Sequence, residues 1–321
     1  MKQYDFETRH RTFWAEFEQD VTLLEKGRRI GAQDFARRYR MVCNHLAQAG
    51  TRDYSPSLVE SLQQLVERAH RVLYRHQEHT FSRFVGWLKT GLPRSVRAEK
   101  TVVLWSHILF YAPYLVFFVL CALHPDLFDK VFGISASWQL EASYRELTEQ
   151  TALNLKRETE LDVLMFGFYV MNNIGIAFQT LGGGFLFGIG TMWILVSNGM
   201  MIGGASGYML HSASAPAFFG FVGAHGAFEL TGIVLAGAAG LRVGLALINP
   251  QGYSRLDALK IQGKSAGLLM GAAFVLLLIA AVIEAFWSSL SVLPPAFKMA
   301  VALCLWLAVY GYLLLAGRNK T

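Results

Sequence analysis

Charge is scarce in this chain. Only 16% of its 321 residues are Asp, Glu, Lys or Arg, while 53% are apolar. A soluble domain usually carries charge at about a quarter of its positions, so the composition excludes an ordinary water-soluble protein and points to a bilayer. The scarcity is uneven. Residues 1–100 hold 18 Lys/Arg against 12 Asp/Glu, and residues 101–321 hold 11 of each, so the whole net charge of +6 sits on the first hundred residues. A mild basic excess beside a membrane is accounted for by lipid headgroups, which leaves nucleic acid unsupported as a partner. Cysteine is nearly absent. Cys43, Cys121 and Cys304 show no CxxC spacing, which excludes a disulfide framework and leaves inert thiols. The Gly182-Gly183-Gly184 run lacks the Lys-Ser/Thr of a phosphate loop. No Ser-His-Asp or Cys-His arrangement stands out, so neither an enzyme nor a cofactor is expected. The opening MKQYDFETRH has no apolar run behind its charges, so no signal peptide is expected and the first apolar span should direct targeting.

What is present begins with helical periodicity. Phe6, Phe13, Phe17, Val21 and Leu24 mark one apolar stripe, and Phe35, Tyr39, Val42 and Leu46 mark a second. Ser55-Pro56 suits the opening of a third helix, which runs through Leu58, Leu62, Leu65, Ala69 and Val72. Gly27, Gly31 and Gly50 punctuate between them. The expectation for residues 1–100 is a cytoplasmic amphipathic helical bundle. His45, His70, His76 and His79 fall within it, and solvated surface positions are expected for them, because a metal site needs three or four converging ligands. Residues 80–92 place Phe81, Phe84, Val85, Leu88 and Leu92 on one face, with Pro93 expected to stop the helix and Arg94, Arg97 and Lys100 following. That pattern suits a helix lying on anionic headgroups; a further bundle helix fits it equally well.

Residues 101–321 are expected to form a six-span membrane domain, with apolar runs at 102–123, 163–181, 183–210, 216–247, 265–287 and 297–316. The fold class is therefore all-α, a polytopic helical membrane protein. The fourth run would measure roughly 48 Å against a hydrocarbon core of roughly 30 Å, so tilt, a break near Gly220, Gly223 and Gly226, or a re-entrant start is expected. Segment 124–162 holds eight acids and four bases, including Lys156, Arg157 and Glu158. By contrast, 248–264 carries Arg255, Lys260 and Lys264 against Asp257, and the tail carries Arg318 and Lys320. Basic segments lie on the cytoplasmic side, which puts both termini in the cytoplasm and 124–162 outside, with an amphipathic helix through Trp138, Leu140, Tyr144, Leu147 and Leu155. Residues 182–244 contain 16 glycines, with ridges at Gly199/Gly203/Gly207, Gly184/Gly188 and Gly240/Gly244. Such ridges let helices approach closely, within the chain or in a homodimer.

Polar groups sunk in hydrocarbon need a partner or a purpose. Asn172 and Asn173 lie halfway along the second span, Asn198 in the third, and His225 and Glu229 in the fourth. The last two are one helical turn apart. These five are expected to meet at mid-depth, either as packing hydrogen bonds or as a transport site for an ion, lipid or small solute. His225-Gly226-Ala227-Phe228-Glu229 is not the His-Glu-x-x-His of a zinc hydrolase, and no metal is expected. His211 lies at the end of the third span, but nothing in the sequence aims it at this pair. Glu284, ahead of Trp287, reads as an interfacial acid capping the bundle. His107 reads as a snorkelling side chain.

Several motifs in order carry a resemblance. They are Phe84…Pro93…Arg97 before the first span, Asn172-Asn173, Asn198-Gly199, His225-Gly226-x-x-Glu229 with the Ala236-to-Leu241 run, and Ile283-Glu284-Ala285-Phe286. Together they resemble the stage II sporulation protein M family. The resemblance implies a multi-pass protein of the bacterial inner membrane. It further implies a non-enzymatic scaffold in cell-envelope remodelling, one that helps localise peptidoglycan-degrading hydrolases during engulfment. Relatives in bacteria that make no spores are often encoded beside MoxR-type ATPases, which adds those as implied partners.

Overall fold

The computed structural model describes residues 2–26, 32–153 and 159–318, and every regular element among them is helical. Gly27, Gly31, Leu155, Lys156, Arg157, Glu158 and Lys320 lie outside the described residues, as do the side chains of His76 and His79. The chain divides into two units, Met1–Trp87 and Leu88–Thr321.

The first unit holds α1 (Gln3–Glu25), α2 (Ala32–Thr51) and α3 (Pro56–Gly86). The apolar stripes converge as their spacing demands: Phe6 and Phe17 of α1, Val42 of α2 and Leu62 of α3 are fully buried in one core. Pro56 opens α3, where its missing N–H removes a donor that has no intrahelical partner anyway. Two arginines tie the helices at the rim. Arg38 pairs with Glu16 and Asp20, and Arg68 reaches Glu18 at 2.8 Å and Glu25 at 2.9 Å. His45 is buried rather than solvated. Its Nδ1 accepts the Trp14 indole N–H at 3.1 Å, and its ring lies 4.1 Å from that of His10. The surrounding aromatics Phe6, Phe13 and Trp14 are what made an apolar pocket there, and the indole donor is what made it tolerable for an imidazole.

A π-helical stretch, Trp87–Gly91, follows α3 and leads to α4 (Leu92–Ala98). Pro93 therefore does not stop the helix; it sits in the first turn of α4, where proline is accommodated. In the second unit α4 buries Leu92 and Val96 and turns its arginines to α12 (Pro295–Leu315). Arg97 donates to the carbonyls of Leu313 at 2.6 Å and Ala316 at 2.7 Å, and Arg94 to Gly317 at 2.7 Å. The Leu313 carbonyl is one of those a helix C-terminus leaves without partners, and Ala316 and Gly317 follow directly after the helix.

The remaining elements are α5 (Lys100–Leu123), α6 (Asp126–Phe132), α7 (Ile134–Ala152), α8 (Thr159–Gly182), α9 (Ile189–Met209), α10 (Ala215–Ile248) and α11 (Arg255–Ile283). Five helical segments are long and apolar enough to cross a membrane: Lys100–Leu123, Glu160–Phe185, Ala215–Ile248, Arg255–Ser288 and Pro295–Leu315. The expected third span appears as α9, a helix of 21 residues whose glycines, Ser197 and Asn198 lower its hydropathy. The fourth run is one unbroken helix of 34 residues, so of the three alternatives the break near Gly220–Gly226 does not occur. The reason is its position. Within its apolar window 72% of α10 is buried, against 11% for the α8 segment. A helix sheathed by other helices is not held to the thickness of the lipid around it.

The glycine ridges are used inside the chain. A Cβ on Gly199, Gly203 or Gly207 would fall 2.1–2.3 Å from the carbonyl oxygens of Phe110, Tyr114 and Phe118 on α5. A Cβ on Gly184 would meet the Gly240 carbonyl at 2.3 Å, and one on Gly244 would meet Gly188 at 2.6 Å. Gly188 closes the turn into α9 at φ +82°, a conformation glycine adopts without strain. These ridges thus join α5 to α9 and the α8–α9 turn to α10, and they no longer argue for a second subunit.

Candidate functional site

His225 lies ten residues into α10, with Glu229 one turn further on the same face. The facing wall is not regular α-helix. α11 gives way to a π-helical segment, Glu284–Ser288, and its wider turn presents Glu284 and Ser288 towards α10. Such π segments are frequent at functional sites. From α8, Asn173 completes the group.

The geometry is compact. His225 Nε2 stands 3.6 Å from a Glu229 carboxylate oxygen, and His225 Nδ1 lies 3.1 Å from Ser288 Oγ. One ligand-type atom each from His225, Glu229 and Glu284 all fall within 4.8 Å of one another. His225, Asn173, Ser288 and Glu284 are buried. Glu284 Oε2 and Asn173 Nδ2 make no hydrogen bond of full geometry, although the Asn173 amide faces the Glu284 carboxyl as its donor. Lys298, from the first turn of α12, is also buried and donates to the Ser288 carbonyl at 2.8 Å. Among the described residues no lysine or arginine stands within ion-pair distance of Glu229 or Glu284.

Aromatic rings close one side. The Phe221 ring meets that of His225 edge-on at 5.3 Å, and Tyr144 of α7 packs on Phe218 at 4.9 Å and Phe221 at 5.9 Å. Burial, aided by the negative potential of Glu284, Tyr169 and Glu229, raises the pKa of the Tyr144 phenol above its ordinary value. The segment expected to be amphipathic thus supplies a wall of the site through Tyr144, while Trp138 stays exposed.

The expected constellation is only partly the one assembled. Asn173, His225 and Glu229 come together. Asn172 donates to Asn173 Oδ1 at 3.1 Å, one position removed from the cluster. Asn198 spends its amide on the Ile194 carbonyl of its own helix at 2.8 Å. Glu284, read from sequence as an interfacial cap, is instead one of the buried members. His211 bonds the Ala122 carbonyl at 2.8 Å, so it brings no second imidazole. His107 is held between the Val103 carbonyl at 2.8 Å and the Tyr310 hydroxyl at 3.3 Å rather than snorkelling. Sequence reasoning passed over Ser288, Lys298 and Tyr144. Lys298 had a signal, being an isolated cation at the start of the last apolar run; Ser288 and Tyr144 had none.

Comparison with known proteins gives two family matches. A model described as Stage II sporulation protein M matches residues 104–289, which include every member of the cluster except Lys298. A model described as a domain of unknown function matches residues 4–75, the greater part of the first unit. No curated protein and no solved structure matches the chain significantly.

Proposed function

Because this chain belongs to the stage II sporulation protein M family, whose model covers 104–289, we propose that it is a non-enzymatic scaffold of the bacterial inner membrane that acts in cell-envelope remodelling. The observation that supports this reading is the backbone-to-backbone packing of α5 on α9 and of the α8–α9 turn on α10. A transporter alternates access by rocking one bundle against another. Helices in contact through their glycines have little room for such sliding, and a rigid body suits a platform. The first unit would engage a cytosolic partner, such as a MoxR-type ATPase. The acidic 124–162 segment would meet wall-side hydrolases. The basic charge of the 248–264 loop and of the tail supports that orientation, since basic segments favour the cytoplasmic face.

The test is a deletion strain carrying a fluorescent cell-wall hydrolase. Loss of its localisation, restored by the wild-type chain and equally by Glu229→Gln, is the expected result. Unchanged localisation in the deletion strain overturns the reading.

One observation favours a second reading, transport of a cation. Two carboxylates and an imidazole lie inside a membrane domain without a basic partner among the described residues, and such groups commonly mark ion pathways. Ion flux in proteoliposomes that Glu229→Gln abolishes would favour transport.

A further inference from the structure

We propose that His225, Glu229 and Glu284 bind one divalent transition-metal ion, of the zinc or manganese kind, which fastens α10 to the π segment after α11. The inference goes beyond the scaffold reading and does not depend on it.

The first ground is distance. At 3.6 Å, His225 Nε2 and the Glu229 oxygen are too far apart for a hydrogen bond. Two ligands on a tetrahedral ion, each about 2.0–2.1 Å from it, stand about 3.4 Å apart. The pair is therefore spaced as co-ligands are. The third ligand atom lies within 4.8 Å of both, and closing it to the co-ligand spacing takes at most about 1.4 Å. Rotation of a glutamate about its terminal torsion, which is broad and low in barrier, supplies that.

The second ground is the poorly satisfied atoms. Glu284 is 9% exposed and Asn173 2%, yet Glu284 Oε2 has no hydrogen bond of full geometry and Asn173 Nδ2 bears on the Glu284 carboxyl only loosely. A buried polar atom left unpaired costs about 1–3 kcal/mol. With an ion in place, Glu284 Oε2 is a ligand, and the Asn173 amide can donate to the carboxylate's other oxygen.

The third ground is the supporting shell. With Ser288 Oγ accepting from Nδ1–H at 3.1 Å, the lone pair of His225 resides on Nε2, the atom facing Glu229. A ligand histidine is ordinarily oriented in this way through its other nitrogen. The Phe221 ring and Tyr144 keep the surroundings apolar.

Charge and donor type select the ion. A neutral imidazole with two carboxylates totals −2, which a divalent cation cancels, and a neutral assembly is the least costly one in hydrocarbon. Magnesium and calcium prefer all-oxygen sites, whereas an imidazole nitrogen favours zinc and its neighbours. Three protein ligands leave a fourth position for water.

The experiment uses the full-length protein in detergent, stripped with a chelator and dialysed against Zn2+, Mn2+, Ca2+ or no metal. Bound metal is measured by elemental analysis and thermal unfolding is followed alongside. Expected are one Zn2+ or Mn2+ per chain, a higher unfolding temperature with metal than without, and at least a tenfold weaker affinity in His225→Ala and in Glu284→Gln. Glu284→Gln keeps side-chain shape, so its unfolding temperature without metal shows that it folds. If it does not fold, Co2+ absorption of the wild type decides instead, by the presence or absence of a nitrogen- and oxygen-ligated signature. Sub-stoichiometric metal, metal retained by both variants, or binding of Ca2+ alone overturns the proposal; a carboxylic acid pair sharing a proton is then the better account of the cluster.

Discussion

At the scale of single residues, glycines divide into those the fold requires and those it does not. Gly203 has the Tyr114 carbonyl 2.1 Å and the Tyr114 Cα 2.7 Å from where a Cβ would stand. Both neighbours are backbone and cannot turn aside. Gly203→Ala is therefore expected to destabilise the membrane domain by about 1–3 kcal/mol, the usual cost of forced overpacking, as a lowered unfolding temperature in detergent. Gly226 has nothing within 4 Å of its Cβ position although it neighbours His225. Gly226→Ala should leave unfolding unchanged within about 0.5 kcal/mol. A matching loss in both variants would mean that composition rather than close approach explains the glycines. His10 and His45 act at the same scale. Desolvation, then the charge of a basic neighbour (Arg9 for His10, His10 for His45), holds each below the ordinary histidine pKa. Above the unfolded value of about 6.5 both are neutral in either state and stability is full. As pH falls below that value the unfolded chain takes up protons that the folded one refuses, so stability is lost. Hydrogen exchange in α1 and α2 should accelerate, relative to its intrinsic rate, from pH 7.5 to pH 5. His45→Gln should flatten that response; an identical response would assign it elsewhere.

At the scale of elements, α4 and α12 are joined by charge meeting free carbonyls. Arg97 holds the Leu313 carbonyl in the last turn of α12 and the Ala316 carbonyl just past it, and Arg94 holds that of Gly317 beyond. Hydrogen bonds to a charged group contribute roughly 1.5–3 kcal/mol. Arg97→Met should free the final turn of α12, seen as faster exchange over 312–316 with little change in α10. Unaltered exchange there would show the contacts to be idle. The sequence announced Arg97 as a lead-in cation but not its target, since nothing in a linear pattern tells which of six helix ends a guanidinium will reach. The same holds for Glu284. Its place near the end of a run suggested an interface, and only the π turn, which has no sequence signature, brings it beneath Asn173. By contrast, α1 to α3 were legible from their stripes, because a soluble helix must separate its faces. Spans surrounded by lipid and by one another face no such demand. The glycines of 216–247 marked it for the packed centre, where 72% of its apolar window is buried, but its uniform apolarity hid its continuity.

At the scale of the whole molecule, the all-helical membrane architecture was legible from the scarcity of charge, and of the six spans expected from the apolar runs five are helices long and apolar enough to cross a membrane. What composition left open was which ridges meet. The Gly199/Gly203/Gly207 ridge serves equally well, on paper, for a second copy of the chain; the structure fills it with α5. Cysteine cross-linking of a Phe110→Cys, Gly199→Cys pair is not a usable test, because the second change breaks the contact. Pairing Tyr114→Cys with Ser206→Cys, whose native side chains meet at 3.4 Å, should give an intramolecular product with a short bifunctional thiol reagent in membranes; a product of twice the chain mass would return the ridge to an intermolecular role.

The union of α5 with α9 also bears on biogenesis. More than sixty residues separate them, including α6, α7 and α8, so during synthesis α5 enters the bilayer well before its mate emerges. Its bare strip of carbonyls must be tolerated by lipid or by an insertase in the meantime. Chains released after α8 should accordingly be short-lived in cells, and those released after α9 should persist.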